Sequence, residues 1–172
     1  SKFFDVVTWT GDSRVGREIP HNLGVEPGMF IIKCISDGDT DWQVWHRGAN
    51  GGQARLFLNS NEAINTASIQ YYWGNNQNYI APTDTHITIG GQGVINLTGR
   101  EYVAYLFAHD DSGSDESMIK CGTYTGTGNA DGPEIDLGWE PQWLLIKRAT
   151  GDADNWVIVD TMRGIPTGGQ DP

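Results

Sequence analysis

The sequence predicts an all-β protein made of antiparallel β-sandwich repeat units, and three observations carry that expectation. Short segments rich in Val, Ile, Tyr, Phe and Trp alternate with clusters of Gly, Pro, Asn and Asp, the composition of strands joined by turns. A single stretch has helical composition. The chain also repeats itself at a period near 114 residues, and such a period marks a repeated folding unit.

In chain order, strands are expected over Phe3 to Trp9, Met29 to Ile35, Asp41 to His46, Arg55 to Leu58, Ile69 to Trp73, His86 to Ile89 and Glu101 to Ala108. Three more follow over Ile119 to Tyr124, Trp143 to Lys147 and Asn155 to Val159. Met29 to Ile35 is almost continuously apolar, as in a central strand covered on both faces. Trp42, Val44 and His46 alternate with Gln43, Trp45 and Arg47, as on a half-covered strand. Asp37-Gly-Asp-Thr-Asp41 between those two runs reads as a hairpin loop. Asn61 to Ala67, with Ser60 as N-cap, is expected to form one or two helical turns.

The repeat is visible in five landmarks. Thr10-Gly11, Leu23-Gly24, Glu26-Pro27, Ile32-Lys33 and Trp42 recur as Thr125-Gly126, Leu137-Gly138, Glu140-Pro141, Ile146-Lys147 and Trp156. The offset is 115 for the first pair and 114 for the rest, so one single-residue indel accounts for all of them. Residues 1–110 are therefore expected to form the first sandwich repeat, residues 111–117 an acidic linker, and residues 118–172 the first half of a second repeat, either truncated or completed by another segment. Ser1 leads straight into a strand-like run and the chain stops at Gly-Gly-Gln-Asp-Pro, so both ends read as cuts.

The charge balance narrows the partners. With 11 Lys and Arg against 22 Asp and Glu the formal charge is −11, which repels nucleic acid and anionic headgroups. No run approaches the roughly 18 apolar residues of a membrane span, and membrane insertion is not expected. The hydrophobic share of 38% with only 19% charged residues describes a folded chain. Cys34 and Cys121 each sit in an apolar run and read as two buried thiols, not a bridge.

Taken together, Phe3-Phe-Asp-Val-Val-Thr-Trp-Thr-Gly11, His21-Asn-Leu-Gly-Val-Glu-Pro-Gly-Met29, Tyr102-Val-Ala-Tyr-Leu-Phe-Ala108, Lys120-Cys-Gly-Thr-Tyr-Thr-Gly126 and Leu137-Gly-Trp-Glu-Pro-Gln-Trp-Leu-Leu-Ile-Lys147 resemble a tandem-repeat domain common in proteins of tailed marine bacteriophages. Those proteins are usually described as structural or tail-fibre-like. The resemblance spans nearly the whole chain and implies a virion setting: assembly in the bacterial host cytoplasm, other virion proteins as partners, a homo-oligomer with trimer as the first expectation, and host attachment through surface glycan. It brings no catalytic or ligand residues with it. Capsid decoration protein, carbohydrate-binding module and glycan depolymerase are the alternatives. The reducing cytoplasm agrees with unpaired thiols.

Individual constellations add little chemistry. Asp37, Asp39 and Asp41 have the spacing of a Ca²⁺ loop, but the sixth and twelfth positions hold Trp42 and Gly48 instead of Gly and Glu, so a solvated hairpin is preferred over a metal site. No cofactor is called for. His21, His46, His86 and His109 form no zinc spacing, and no GxSxG or phosphate loop occurs, so no enzyme is expected. The seven Trp, six Tyr and five Phe are the stronger signal, because flat rings suit apolar sugar faces. Trp42 and Trp156 recur in both units, which favours a structural role for them. Tyr72, Trp73 and Tyr79 flank the amide-rich Gly74-Asn-Asn-Gln-Asn78 and are the expected contact surface.

Overall fold

The computed structural model describes residues 3–110 and 118–164. The expected acidic linker and the last residues of the expected second unit lie outside that range. The architecture is an antiparallel β-sandwich. Its larger sheet contains β1 (Phe4–Thr10), β3 (Pro27–Cys34), β4 (Gln43–His46), β5 (Leu56–Phe57) and β7 (Glu101–Ala108), in the order β1-β7-β3-β4-β5. A two-stranded sheet of β2 (Arg17–Pro20) and β6 (His86–Ile89) faces it. A separate hairpin follows, β8 (Trp143–Ile146) with β9 (Val157–Asp160).

Side-chain alternation explains the layers. Phe30, Ile32 and Cys34 of β3, with Tyr102, Ala104, Leu106 and Ala108 of β7, point to one face and meet Ile19 of β2 and Ile87 and Ile89 of β6 in the main core. Phe30 lies between two indoles, stacked on Trp45 at 5.1 Å and edge-on to Trp73 at 5.1 Å. Full burial of side chains this size contributes roughly 1.5–3 kcal/mol each. Each core indole N–H finds a backbone carbonyl: Trp9 donates to Ile95, Trp45 to Gly52 and Trp73 to Ala54, at 3.2, 2.8 and 3.2 Å. The Tyr102 hydroxyl donates to the Gly93 carbonyl and accepts from the Leu97 N–H, at 2.6 and 2.8 Å, clamping the short helix α1 (Gly93–Asn96) over the core.

The opposite face of the large sheet is also covered. Met29, Ile31, Val44, Ala49, Ala54 and Leu56 form a second cluster, and Cys121, Leu145 and Trp156 pack against it from beyond residue 118. This cover makes β3 a central strand buried on both faces, as expected. It also corrects β4. Gln43 and Trp45 are buried on the main-core side and Val44 on the other, so that strand is not half-covered.

The hairpin β8–β9 reproduces β3–β4. Met29, Phe30, Ile31 and Ile32 pair with His46, Trp45, Val44 and Gln43. Trp143, Leu144, Leu145 and Ile146 pair with Asp160, Val159, Ile158 and Val157, every residue 114 positions on. The loops match as well: the Lys33 ammonium donates to the Thr40 carbonyl, and Lys147 to that of Asp154. Burial does not match. Met29 is 7% exposed and Val44 0%, whereas their counterparts Trp143 and Ile158 are 50% and 47% exposed.

Other expectations need correction. Residues 61–67 are not helical. Asn65 exchanges both backbone hydrogen bonds with Arg55, and the Asn65 and Ser60 side chains accept from the N–H groups two residues on; such local bonds compete with a helix. Ile69 to Trp73 is not a strand but carries a 3₁₀ turn at Ile69–Tyr71. Ile119 to Tyr124 is not a strand either. Its counterpart β1 exists only by pairing with β7, and among the described residues no strand plays that part for 119–124. Strand β2 was not anticipated, because only Ile19 within it is buried and it closes on Pro20 opposite His86.

Candidate functional site

An open groove of about 550 Å³ lies between the two hairpin regions, lined by Leu58, Asn59, Ser60, Asn61, Asn155 and Trp156. The chain after β5 supplies one wall. The residues entering β9 supply the other. Trp156 is fixed there because its indole N–H donates to the Phe57 carbonyl at 2.8 Å and its body packs on the second cluster.

The walls are tied together by backbone. The Asp154 N–H donates to the Asn61 carbonyl at 2.8 Å, and the Ile64 N–H to the Ala149 carbonyl at 2.9 Å. Lys147 reaches the Asn61 carbonyl at 2.9 Å, and desolvation there lowers its pKa, partly offset by Asp154. The Asn59 side chain is used for structure: its oxygen accepts from the Trp42 N–H at 3.0 Å and its amide donates to Asp41 at 2.9 Å. Among the described residues, the side-chain amides of Asn61 and Asn155 make no hydrogen bond within the chain. An amide carries two donors and an acceptor, so these two stand beside a pinned indole with hydrogen-bonding capacity to spend on a ligand.

The residues expected as a contact surface are placed differently. Trp73 is 1% exposed and belongs to the main core, so its ring presents almost no surface to a ligand. Tyr72 is half-buried beneath the Arg55 guanidinium, which sits 3.8 Å from the ring centre in a cation–π arrangement. Tyr79 is half-buried beside Trp45, and burial raises its pKa. The amides of that stretch serve the turn: Asn75 accepts from the N–H groups of Gln77 and Asn78, and Asn76 from Gly91. A second hollow beside Tyr79, lined by Glu26, Trp45 and Arg47 among others, holds only about 160 Å³, below the roughly 300 Å³ at which ligand pockets begin.

The aspartates do not converge. Asp37 pairs with Arg100 and accepts from the Asp39 N–H, Asp41 turns to Asn59, and among the described residues no group of three or more His, Cys, Asp or Glu is arranged to hold a metal ion. The histidines are structural in their contacts. His21 is buried, with Nδ1 accepting from the Leu23 N–H and Nε2 against the Thr83 carbonyl at 3.2 Å. Desolvation is the main cause that lowers its pKa, and burial likewise lowers that of His46, with Arg47 adding to it. Both thiols are free. Burial pushes Cys121 up to about 11, which leaves almost no thiolate to act as a nucleophile at neutral pH.

Sequence reasoning missed Asn61, Asn155 and Trp156 as site residues. A signal was available, because the repeat sets Asn155 and Trp156 against Asp41 and Trp42, and two copies of one hairpin packed together enclose space between their loops. No curated protein and no solved structure matches the chain. Residues 2–168 match the model of the family described as a domain of unknown function, DUF7483, and the chain belongs to that family.

Proposed function

We propose that the chain is a structural and adhesive module of a tailed-bacteriophage virion, part of a tail fibre or another surface appendage, whose Trp156 groove touches host surface glycan. No catalysis is involved. The observation that carries the glycan contact is the pinned Trp156 indole beside the uncommitted Asn61 and Asn155 amides. A ring offers an apolar platform to a sugar face, and amides read the hydroxyls at its edge. The virion setting rests on the sequence resemblance to phage tandem-repeat proteins and on the acidic, doubly covered sandwich suited to holding shape.

Two experiments test the reading. An array of neutral hexose and N-acetylhexosamine oligosaccharides is expected to capture the protein, and Asn155→Ala to lower that capture at least several-fold with an unchanged melting temperature. Capture that is absent, or indifferent to Asn155→Ala and Asn61→Ala, removes the glycan contact. Cryo-electron microscopy of the phage particle is expected to place the protein in a three-fold tail appendage. Density on the capsid surface makes it a decoration protein, and no virion density overturns the setting.

A further inference from the structure

We infer that the outer edge of β8 is a docking site for an extended strand of the β7 type, which pairs antiparallel with Trp143 to Lys147 and in turn orders residues 119–125 as a strand. The register of the repeat supplies the argument. In the first unit β3 pairs with β4 on one side and with β7 on the other. In the second, β8 pairs with β9, and among the described residues no strand lies along its other edge.

That edge is built to match. The Arg47 N–H donates to the Gly28 carbonyl at 2.9 Å, and the Thr161 N–H to that of Gln142 at 3.1 Å, again 114 residues on. Antiparallel alternation then turns the backbone groups of Trp143, Leu145 and Lys147 away from β9. Their counterparts Met29, Ile31 and Lys33 meet Phe107, Tyr105 and Val103 of β7. The incoming strand therefore sets a Phe opposite Trp143, a Tyr opposite Leu145 and a Val opposite Lys147. Its reach ends there, because the Ala149 carbonyl is already bonded to Ile64.

The occupant is a β7-like strand and not an arbitrary one, for two reasons. The exposed Trp143 stands where the first unit buries Met29 opposite Phe107 of β7, so an apolar residue of the incoming strand covers it. Residues 119–125 carry the β1 counterpart, and β1 is a strand through β7 alone, along its whole length from Phe4 opposite Phe107 to Thr10 opposite Glu101. One strand of that type completes both neighbours, as in other cases of strand addition to an open sheet edge. A second copy's own β7 is held between β1 and β3 and is not available for this.

The test uses the full chain and a synthetic peptide with the sequence of residues 100–110. Amide hydrogen exchange is expected to slow at least tenfold at Trp143, Leu145 and Lys147 and along 119–125 when the peptide is added. The peptide with Tyr105→Pro lacks the central N–H aimed at β8 and is expected to have no effect. Trp143→Pro in the protein blocks the edge without removing a β8–β9 bond, and protection at Leu145 and Lys147 should then be lost. No protection at millimolar peptide, or equal protection with either proline variant, overturns the inference. So does a dimer by sedimentation whose β8 amides are protected without peptide, since the edge then belongs to a second copy.

Discussion

β3–β4 and β8–β9 share a register, a loop clamped by a lysine and a 114-residue offset, yet one is buried on both faces and the other stands half in solvent. The difference separates what a hairpin owes to its own sequence from what it owes to its surroundings. Pairing and loop geometry follow the local sequence and recur where the surroundings differ. Burial, and the formation of flanking strands, require partners distant in the chain. In the first unit β1 and β2 wait for β7 and β6. In the second, only the hairpin whose two strands are both at hand is ordered as strand among the described residues.

Paired core truncations test that separation most severely. Phe30→Ala is expected to cost about 3–5 kcal/mol in urea denaturation, and its counterpart Leu144→Ala under about 1 kcal/mol, as for a side chain already partly in water. Equal costs would mean that the second hairpin is buried in solution. Trp156→Phe keeps a ring but removes the bond to the Phe57 carbonyl, at a cost of about 1 kcal/mol. Amide exchange should speed up in β9 and residues 149–155 and remain slow in β3 and β7; uniform acceleration would show that the two regions open together.

Acid reads the comparison through two histidines. His21 and His46 are held below their ordinary value of 6.5 in the folded chain, chiefly by burial, so below that pH the unfolded state binds more protons. Their contribution is present above about 6.5 and is lost as pH falls from there toward their folded values. Urea midpoints measured from pH 7.5 to 5 should decline, and His21→Gln should flatten the decline; an unchanged slope would assign it to carboxylates. The smallest effect is expected from Gly48→Ala. The added Cβ would lie 2.4 Å from the Thr123 methyl, lifting 119–125 from the sheet with faster exchange there and a melting temperature within about 1 °C.

Much of the fold was legible because strands such as β6 and β7 are marked by their own residues: His86 to Ile89 and Glu101 to Ala108 stand at the expected bounds. Errors arose where a partner decides. The sequence of 119–124 is as strand-like as β1, and nothing in its composition tells that among the described residues no strand pairs with it. Asn61 to Ala67 has helical composition but spends its backbone on Arg55 and Ala149. The site was harder still. Tyr72, Trp73 and Tyr79 attracted notice as aromatics in an amide-rich stretch, yet that stretch uses its amides on its own turn. Trp156 looked structural because it recurs, and the structure gives it a fixed place that also borders the groove.

The dependence of β1 on β7 has a consequence in time. During synthesis residue 10 leaves the ribosome well before residue 101, on the order of 5–20 s at ordinary elongation rates, whereas a hairpin closes in about 1–10 μs. The nascent chain thus carries β1 unmatched for seconds, long after β3 and β4 have had the time to meet around the Lys33 loop. Among the described residues, 118–164 show that same hairpin pairing beside an unpaired 119–124, so a step that the β3–β4 hairpin passes through during synthesis has a counterpart in the folded chain.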